Sequence, residues 1–548
     1  MFVSDLRKKM TGLEVKKIFF VFFLILIFSS LNEAKGICEE RLELSLEECI
    51  NLALEKNLDI RIESLDPRIQ EMEIAKEKAE FDPRFILETK DSKSETETTS
   101  WLSGGGGRDR KLSWEDWYSW FRRVLYGQGS VDDIFGLLGY RKGGVLEQES
   151  LDFSSKLITK FITGGVGELK FTTNRLRTNS FYEYYDETYR SYLTFSLTQP
   201  LLKNFGINLN KSRIRIASNN WDISKDQLRG KVISIVSQVQ EAYWNLWRSI
   251  EEHKVRQYSL ELAQNLLSLN EALVKGGRLP PVAILQAKSG VASRREGVLL
   301  AENAVENAQD YLRKMIDFDL MDESYKEEKP IFPKDEPDFI DKRFDVAESY
   351  KIALLNRPDF NQAKIALNNQ KLALKLAKNQ LLPKLDIGGS YTSSGIDPHY
   401  SETLDELSTR DNYYWEAGIV FEVPLGNRLA KSAYSQEKMK TKKAEMEIED
   451  IKKKILLEVR EIVRGIETNV ERIEATHVAR ILAEEKLKAE EERFRLGRAI
   501  TIDLLRFQED LASAKISEDR ALVDYRKLLS KWEMATAQSP INIDTVTH

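Results

Sequence analysis

The feature that most constrains this chain is an internal duplication. A helical pattern that leads into a proline and an apolar position returns 300 positions later. The matching elements are residues 53–59 with Pro83 and Phe85 in the first copy, and residues 353–359 with Pro383 and Leu385 in the second. Each copy is typical of a helix that ends at a proline and continues as a strand. For a chain of 548 residues, such a duplication favours an elongated, repetitive molecule over one compact domain.

Two further matches extend the duplication. Residues 197–201 correspond to 421–425, and residues 274–278 correspond to 495–498. A long helical pattern separates these matches in both copies. The sequence therefore predicts a first repeat over 37–317 and a second over 343–535. Each repeat consists of a helix, strands, a long helix, a break and another helix.

The long helix of each repeat carries a narrow apolar stripe. In the second repeat the stripe advances by 4, 4 and 3 residues in turn, through Ile451, Ile455, Val459, Ile462, Ile466, Val470 and Ile473. This eleven-residue period is close to the relaxed helical repeat, so we expect these helices to pack nearly straight or with a slight right-handed twist. At about 1.5 Å per residue, 206–275 and 426–496 each reach on the order of 100 Å. Narrow stripes on highly charged helices favour side-by-side packing in an extended layer.

The strand patterns are few and alternate between apolar and polar residues. The apolar positions of the two clearest patterns are Leu193, Phe195 and Leu197, and Trp415, Ile419 and Phe421. This alternation is typical of barrel strands with lipid outside and water inside, although a small soluble sandwich stays an alternative. Weaker patterns occur at 385–391 and 169–171. Four strands cannot close a barrel, so we expect several chains to share one.

The N-terminus has the order of a secretory signal peptide over residues 1–36. Lys16 and Lys17 precede an apolar run from Ile18 to Phe28, which is shorter than the roughly 20 residues that a membrane span needs. An uncleaved anchor helix is the alternative. The two cysteines of the chain, Cys38 and Cys49, follow the cleavage region. They could form one disulfide, and lipidation of Cys38 is a further alternative.

Composition excludes several classes of function. The chain carries 82 Lys and Arg against 88 Asp and Glu, a net charge of −6, without a long basic stretch, so nucleic acid is not an expected partner. The four histidines, at 253, 399, 477 and 548, lack metal-ligand spacing, and no nucleophile motif is present. We therefore expect no catalytic residue, metal or cofactor, and predict that the protein is not an enzyme.

Three segments lie outside the duplicated pattern. The first repeat contains an insert over 91–152 with four glycines, Gly104 to Gly107, and four tryptophans, Trp101, Trp114, Trp117 and Trp120. Just beyond it, Leu157 and Phe161 followed by Gly164 and Gly165 indicate one more strand and turn. Residues 318–342 form a linker that three prolines prevent from being one helix, and residues 536–548 form a C-terminal tail.

Taken in order, these motifs resemble the TolC family of outer-membrane channel proteins. The similarity lies in the duplication, in Leu46–Glu48 with residues 53–57 and in 198–202, and it continues at Phe494–Gly497 and Asp503–Leu505. It implies a mainly α-helical homotrimer with a barrel of twelve strands, four from each chain. That barrel would lie in the outer-membrane lipid and continue into a long helical barrel in the periplasm.

The resemblance also implies a passive exit duct in a tripartite efflux or type I secretion system. An inner-membrane transporter would supply the energy, and a periplasmic adaptor (membrane fusion) protein would dock at the periplasmic tip. The tip and gate residues by this similarity are Gly277, Arg278, Phe494, Gly497, Arg498 and Asp503. Alternatively, the two glycines are ordinary helix-ending residues, and Asp503 is an acid favoured by the positive end of a helix. A non-channel periplasmic coiled-coil scaffold or adaptor is the alternative function.

Overall fold

The computed structural model describes residues 42–97, 114–128, 145–180, 183–316, 330–409 and 411–538. The predicted signal peptide over 1–36 and Cys38 lie outside these ranges. So do residues 539–548 of the predicted tail and residues 318–329 of the predicted linker.

Helices make up most of the described chain. In chain order they are α1 (Leu46–Lys56), α2 (Leu58–Glu63), α3 (Leu65–Lys78), α4 (Trp114–Leu125), α5 (Ile207–Asn210), α6 (Ser212–Lys275), α7 (Val282–Ile316), α8 (Val346–Asn356), α9 (Pro358–Asn379), α10 (Tyr400–Thr409), α11 (Arg428–Arg495) and α12 (Thr501–Thr536). The two predicted long helices are confirmed as α6 and α11, with 64 and 68 residues. None of the helices in the described ranges is both long and apolar enough to cross a membrane.

Strands form two sheets of very different size. The strands are β1 (Leu42–Leu44), β2 (Arg84–Glu97), β3 (Val145–Lys160), β4 (Val166–Thr178), β5 (Glu187–Pro200), β6 (Ile331–Pro333), β7 (Lys384–Asp397) and β8 (Tyr413–Glu422). The short strands β1 and β6 pair in parallel. The other six form one antiparallel sheet in the order β2-β3-β4-β5-β7-β8.

The expectation of four sheet strands per chain is wrong, because this sheet has six. The four patterns read from the sequence correspond to β4, β5, β7 and β8. The two additional strands occupy both ends of the predicted insert, so 91–97 belongs to β2 and 145–152 to β3. The additional strand and turn expected near Leu157 are confirmed as β3 and the turn that follows it.

The β3–β4 turn is tight and depends on a glycine. Phe161 and Gly165 close it through a backbone hydrogen bond of 2.8 Å. Gly164 has a φ of +95°, and a Cβ there would lie 2.3 Å from the Asn204 carbonyl oxygen. Only glycine fits this position, because any side chain would meet both steric and conformational strain.

Alternation along the strands gives the large sheet one apolar face. The predicted lipid-facing residues all lie on that face and are exposed: Leu193 at 39%, Phe195 at 54%, Leu197 at 42%, Trp415 at 65%, Ile419 at 69% and Phe421 at 64%. Helix α10 covers the same face farther along the sheet. There the Ser393 hydroxyl, opposite Leu193 in the register, donates to the Leu407 carbonyl.

The chain divides into two compact units, with boundaries inside α6 and α11. One unit contains the large sheet with α3, α9 and α10. The other contains α1, α2, α7, α8 and α12 with the small sheet. In this second unit, the helical unit, the two repeats have matching helix N-caps. Ser45 caps α1 by accepting from the backbone of Glu48, and Asp345, 300 positions later, caps α8 by accepting from Glu348.

The core of this helical unit is built on α6. Val232, Val239 and Tyr243 are fully buried there and pack with residues of α1 and α7. Cys49 of α1 belongs to the same core, and burial raises the pKa of its thiol to about 12. A narrow stripe on a charged helix is therefore enough to build a continuous core when several such helices pack together.

One buried tyrosine joins the N-terminal strand, the linker and α6. The Tyr243 hydroxyl lies 3.1 Å from the Leu44 carbonyl oxygen and 3.0 Å from the Asp335 carboxylate. It also accepts a hydrogen bond from the Asp335 backbone N–H at 3.0 Å. The same carboxylate accepts from the Leu46 backbone N–H at 2.7 Å.

We predict that Tyr243→Phe lowers the free energy of unfolding by about 1–3 kcal/mol, because it leaves the Asp335 backbone N–H without the hydroxyl that accepts its hydrogen bond. Denaturant unfolding of the purified protein measures this. Tyr258→Phe is the matched control, since Tyr258 lies on the same helix and is half exposed. Equal stability of the two variants would contradict the anchoring role.

Candidate functional site

The predicted tip residues lie at the turns of two helical hairpins. One turn joins α6 to α7 and contains Gly277 and Arg278. The other joins α11 to α12 and contains Gly497 and Arg498. Both turns belong to the helical unit.

The two turns have the same backbone geometry. Gly277 and Gly497 each have a φ of +72°. In the first turn the Gly277 N–H donates to Val274 at 3.0 Å and the Arg278 N–H to Leu273 at 2.8 Å. In the second, Gly497 donates to Phe494 at 2.9 Å and Arg498 to Arg493 at 2.8 Å. This is the Schellman ending, which requires a left-handed residue just after the helix and satisfies its last carbonyls.

The turns present their arginines and several apolar side chains to solvent. Arg278 and Arg498 are exposed, as is Arg506 in the first turns of α12. The exposed apolar side chains next to the turns are Val282, Leu285, Leu496, Ile500 and Ile502. Asp503 is partly buried in the first turn of α12, where an acid is favoured by the positive end of the helix.

Phe494 is not exposed at the tip but packs inside it. It is 6% exposed and belongs to a cluster with Leu266 of α6, Leu487 of α11, and Leu504 and Leu511 of α12. The two hairpins therefore share an apolar core just behind their turns. The aromatic ring of Phe494 is therefore part of this core.

A buried asparagine links the hairpins beside this core. Asn270 of α6 is fully buried, and its side-chain amide donates to the Thr501 hydroxyl at 3.0 Å and to the Ala283 carbonyl at 3.3 Å. Thr501 begins α12 and Ala283 lies in the first turn of α7. One amide therefore fixes three helix ends, because buried polar groups hold a single arrangement best when they are hydrogen-bonded.

About three turns farther along α7, an arginine repeats this link. Arg294 of α7 is 8% exposed; its Nε donates to the Ser259 hydroxyl at 2.9 Å and its guanidinium to the Leu505 carbonyl at 2.7 Å. Burial lowers the pKa of Arg294, and Glu509, 3.8 Å away, opposes that shift. Glu509 also pairs with Arg256 at 3.0 Å. This network crosses from α7 to both α6 and α12.

Sequence reasoning found the turns but missed the groups behind them. Asn270, Thr501 and Arg294 carry no motif, and their partners lie 231 and 211 positions away. The only available signal was a polar residue within an apolar stripe. Among the described residues, no group of three or more His, Cys, Asp or Glu side chains is arranged to hold a metal ion.

We predict that Gly497→Ala lowers the free energy of unfolding by about 1 kcal/mol, since a side chain disfavours the left-handed conformation. Gly277→Ala should act equally because the geometry is the same. No atom lies within 4 Å of the added Cβ at either position, so conformation alone accounts for the loss. Gly276→Ala is the control, because the φ of Gly276 is not positive. Denaturant unfolding that showed no difference between Gly497→Ala and Gly276→Ala would refute the requirement.

Comparison with known proteins agrees with this architecture. The family model described as outer membrane efflux protein matches residues 167–316 and 349–527, more than half of the chain. Among solved structures, the Campylobacter jejuni CmeC outer membrane channel is similar with a TM-score of 0.62 and 16% identity, over 92% of this chain and 89% of that one.

Two other channels have comparable similarity. VceC of Vibrio cholerae has a TM-score of 0.58 and 14% identity, over 90% of this chain and 95% of that one. The open state of MtrE from Neisseria gonorrhoeae gives 0.58 and 14%, over 90% and 88%. No curated protein sequence shows significant similarity to this chain. The resemblance read from the sequence is confirmed, and the chain belongs to the outer membrane efflux protein family.

Proposed function

We propose that this protein is the outer-membrane exit duct of a tripartite efflux system and that it works as a homotrimer. Its sheet would lie in the outer membrane and its helices in the periplasm. A periplasmic adaptor would hold it against an inner-membrane transporter, which supplies the energy. Type I secretion of polypeptides uses the same kind of duct, so the proposal includes a secretion system as well as an efflux system.

The proposal rests on the contrast between the two faces of the large sheet, in a chain that belongs to this family. Its exposed face bears Phe, Leu, Ile and Trp side chains, whereas its other face bears Thr, Ser, Asn and charged residues. For example, Thr194 and Thr392 face each other at 3.0 Å on the polar side. A sheet with this contrast suits a wall between lipid and water. Its open edges require partners in lipid, which supports assembly of several chains.

The helical hairpins support adaptor docking at their turns. Two turns of the same geometry in one chain give six related turns in a trimer. Each presents an exposed arginine, Arg278 or Arg498, beside exposed apolar side chains. We propose these as the docking surface. A charged and apolar combination suits a reversible protein partner, because charge guides the approach and apolar contact holds it.

Asp503 is proposed as part of the gate. It lies at the start of α12, next to Thr501, which the buried Asn270 holds. A ring of three Asp503 carboxylates would constrict the entrance electrostatically. A second carboxylate ring is not proposed, because Arg506 stands one turn away, where family members can have an acid.

Membrane insertion is tested by placing charge on each face of the sheet. We predict that Phe195→Lys and Ile419→Lys reduce the amount of assembled protein in the outer membrane, since a cation against lipid costs roughly 2–4 kcal/mol near the midplane. Thr194→Lys and Val420→Lys are the controls, because they carry the same charge on the polar face. Normal yields of Phe195→Lys and Ile419→Lys would remove the lipid-facing assignment.

The oligomer and its location are tested together. We expect the detergent-extracted protein to have the mass of three chains and to fractionate with the outer membrane. Recovery as a soluble periplasmic monomer would instead favour the scaffold or adaptor alternative.

The gate is tested in planar bilayers. We predict that Asp503→Ala changes the resting conductance and its cation preference while trimers stay intact, because the carboxylate ring is lost. Asp510→Ala, an exposed acid two turns farther along α12, should leave the conductance unchanged. Identical conductance of Asp503→Ala and the unmodified protein would exclude Asp503 from the gate.

A further inference from the structure

The two additional strands of the sheet change how copies of this chain can close a barrel. We propose that three chains form one barrel of eighteen strands, in which β2 of one chain pairs antiparallel with β8 of a second copy. This inference rests on the trimer of the proposed function. It differs from the twelve strands that the family resemblance implies.

The additional hairpin lies within the wall because β3 is paired on both sides. Residues 148–158 of β3 pair with β2 on one edge and with β4 on the other. One row of the register therefore crosses all six strands, through Phe85, Leu157, Leu169, Phe195, Tyr391 and Trp415. Strands β2 and β3 lie at the same height as the other four.

The apolar face continues onto β3 and onto the first part of β2, before Asp91, Lys93 and Glu95 of β2 occupy the same face. Phe85 and Leu87 of β2 are 68% and 58% exposed, and Leu157 of β3 is 41% exposed. The values for Phe195 and Trp415, farther along the row, are similar at 54% and 65%. A hairpin outside the lipid would have no need for apolar side chains on the same face as its neighbours.

Among the residues that the structure describes, the sheet has two edge strands without a second neighbour, β2 and β8. Strand β4 is not an edge, because 13 residues of β3 pair along it. Closing a twelve-stranded barrel through β4 would break that whole ladder. Closing through β2 breaks nothing and satisfies both edges, which unpaired backbone in lipid requires.

The tilt of barrel strands limits the register of the new pair. Within one chain, Trp415 of β8 lies in the same row of the sheet as Phe85 of β2. If Trp415 pairs with Asp91 of the next chain, which is six residues beyond Phe85 along β2, the register shifts by six residues at each chain. Three such shifts across eighteen strands give one residue of shift per strand. Barrels with this ratio have a strand tilt of about 36°, within the range of outer-membrane barrels.

Side chains on the two edges are complementary at this shift. It places Glu422 opposite Arg84 and Glu416 opposite Lys90, which are both pairs of opposite charge. On the apolar face it places Phe421 opposite Phe85 and Ile419 opposite Leu87. It also aligns the end of β8 with the start of β2. Such cross-strand pairs stabilise a sheet by roughly 0.2–1 kcal/mol each.

The neighbouring registers lack this complementarity. Only even shifts keep apolar residues on one face. A shift of four places Glu416 opposite Glu88, a repulsive pair. A shift of eight places Glu422 opposite Ile86 and Glu416 opposite Ser92, so both pairs of opposite charge are lost. The six-residue shift is therefore favoured by both strand tilt and side-chain chemistry.

The consequence is a wider passage at the outer membrane. Barrel diameter grows about linearly with strand number, so eighteen strands give about 1.5 times the diameter of twelve. Barrels of 16–18 strands enclose an aqueous channel. We infer that the membrane wall of this protein passes bulky hydrated solutes and that the helical tip sets the size limit.

Cysteine pairs distinguish the two closures. The test variant is Leu87→Cys with Ile419→Cys, which are directly opposite in the eighteen-stranded closure. The control is Leu169→Cys with Ile419→Cys, which would be opposite if β4 met β8 of the next chain at the same strand tilt. Each full-length double variant is oxidised in outer membranes beside its single variants, and covalent dimers and trimers are separated on a non-reducing gel.

We expect covalent dimers and trimers from the Leu87 and Ile419 pair and only monomers from the control pair. Cross-linking through the Leu169 pair would overturn the proposal and leave the trimeric channel standing. Intact trimers that cross-link through neither pair would also overturn it. A protein that is monomeric before oxidation would instead contradict the proposed function.

A charge exchange tests the register without cysteines. Lys90→Glu and Glu416→Lys should each lower the yield of heat-resistant trimers, and the double exchange should restore it. Lys170→Glu, which makes the same charge change on β4, away from both edges, is combined with Glu416→Lys as the control and should restore nothing. Additive losses in the Lys90 and Glu416 double variant would contradict the pairing.

Discussion

The pairing of backbone groups along one antiparallel sheet is the constraint on which the rest of this structure depends. Six strands share a single register, so the position of a residue in that register decides which face its side chain occupies. One face is apolar and exposed in the single chain. A sheet of this kind suits a boundary between two environments, and in the described chain its edge strands β2 and β8 each have one neighbour.

The helical unit meets a different requirement. Its long helices have narrow apolar stripes, and several of them must pack together before a core forms around Val239 and Tyr243. Behind the hairpin turns the helices are fixed by the polar contacts of Asn270 and Arg294 together with the apolar cluster around Phe494. A buried arginine is costly unless every neighbour is in place, so this network specifies one arrangement of the two hairpins.

Local sequence signals predicted the elements well where they were strong. Alternation at 193–197 and 415–421 identified β5 and β8, and the repeated glycines identified both hairpin turns. The signal on β2 was weaker, because Phe85 and Leu87 are followed by the charged residues Asp91, Lys93 and Glu95. The second half of this strand is charged, so its pattern does not predict a membrane strand. Pairing with β3 is what places it in the sheet.

The candidate site divides in the same way. The glycine turns were predictable because a left-handed residue at a helix end has a strong residue preference. The burial of Phe494 was not, since the same aromatic residue suits a docking surface or a core. Its environment depends on Leu266, more than 200 positions earlier in the chain.

The sequence by itself determined the duplication, the helix lengths, the hairpin turns and the two-faced character of the strands, because each of these is visible in the order of residues along the chain without knowledge of which segments touch. The tertiary structure decided the number of strands in the sheet and the polar links between the hairpins. These depend on pairings such as Asn270 with Thr501 and Arg294 with Leu505, whose members are 231 and 211 positions apart. Local periodicity carries no information about such pairs, since only the folded chain brings their atoms together.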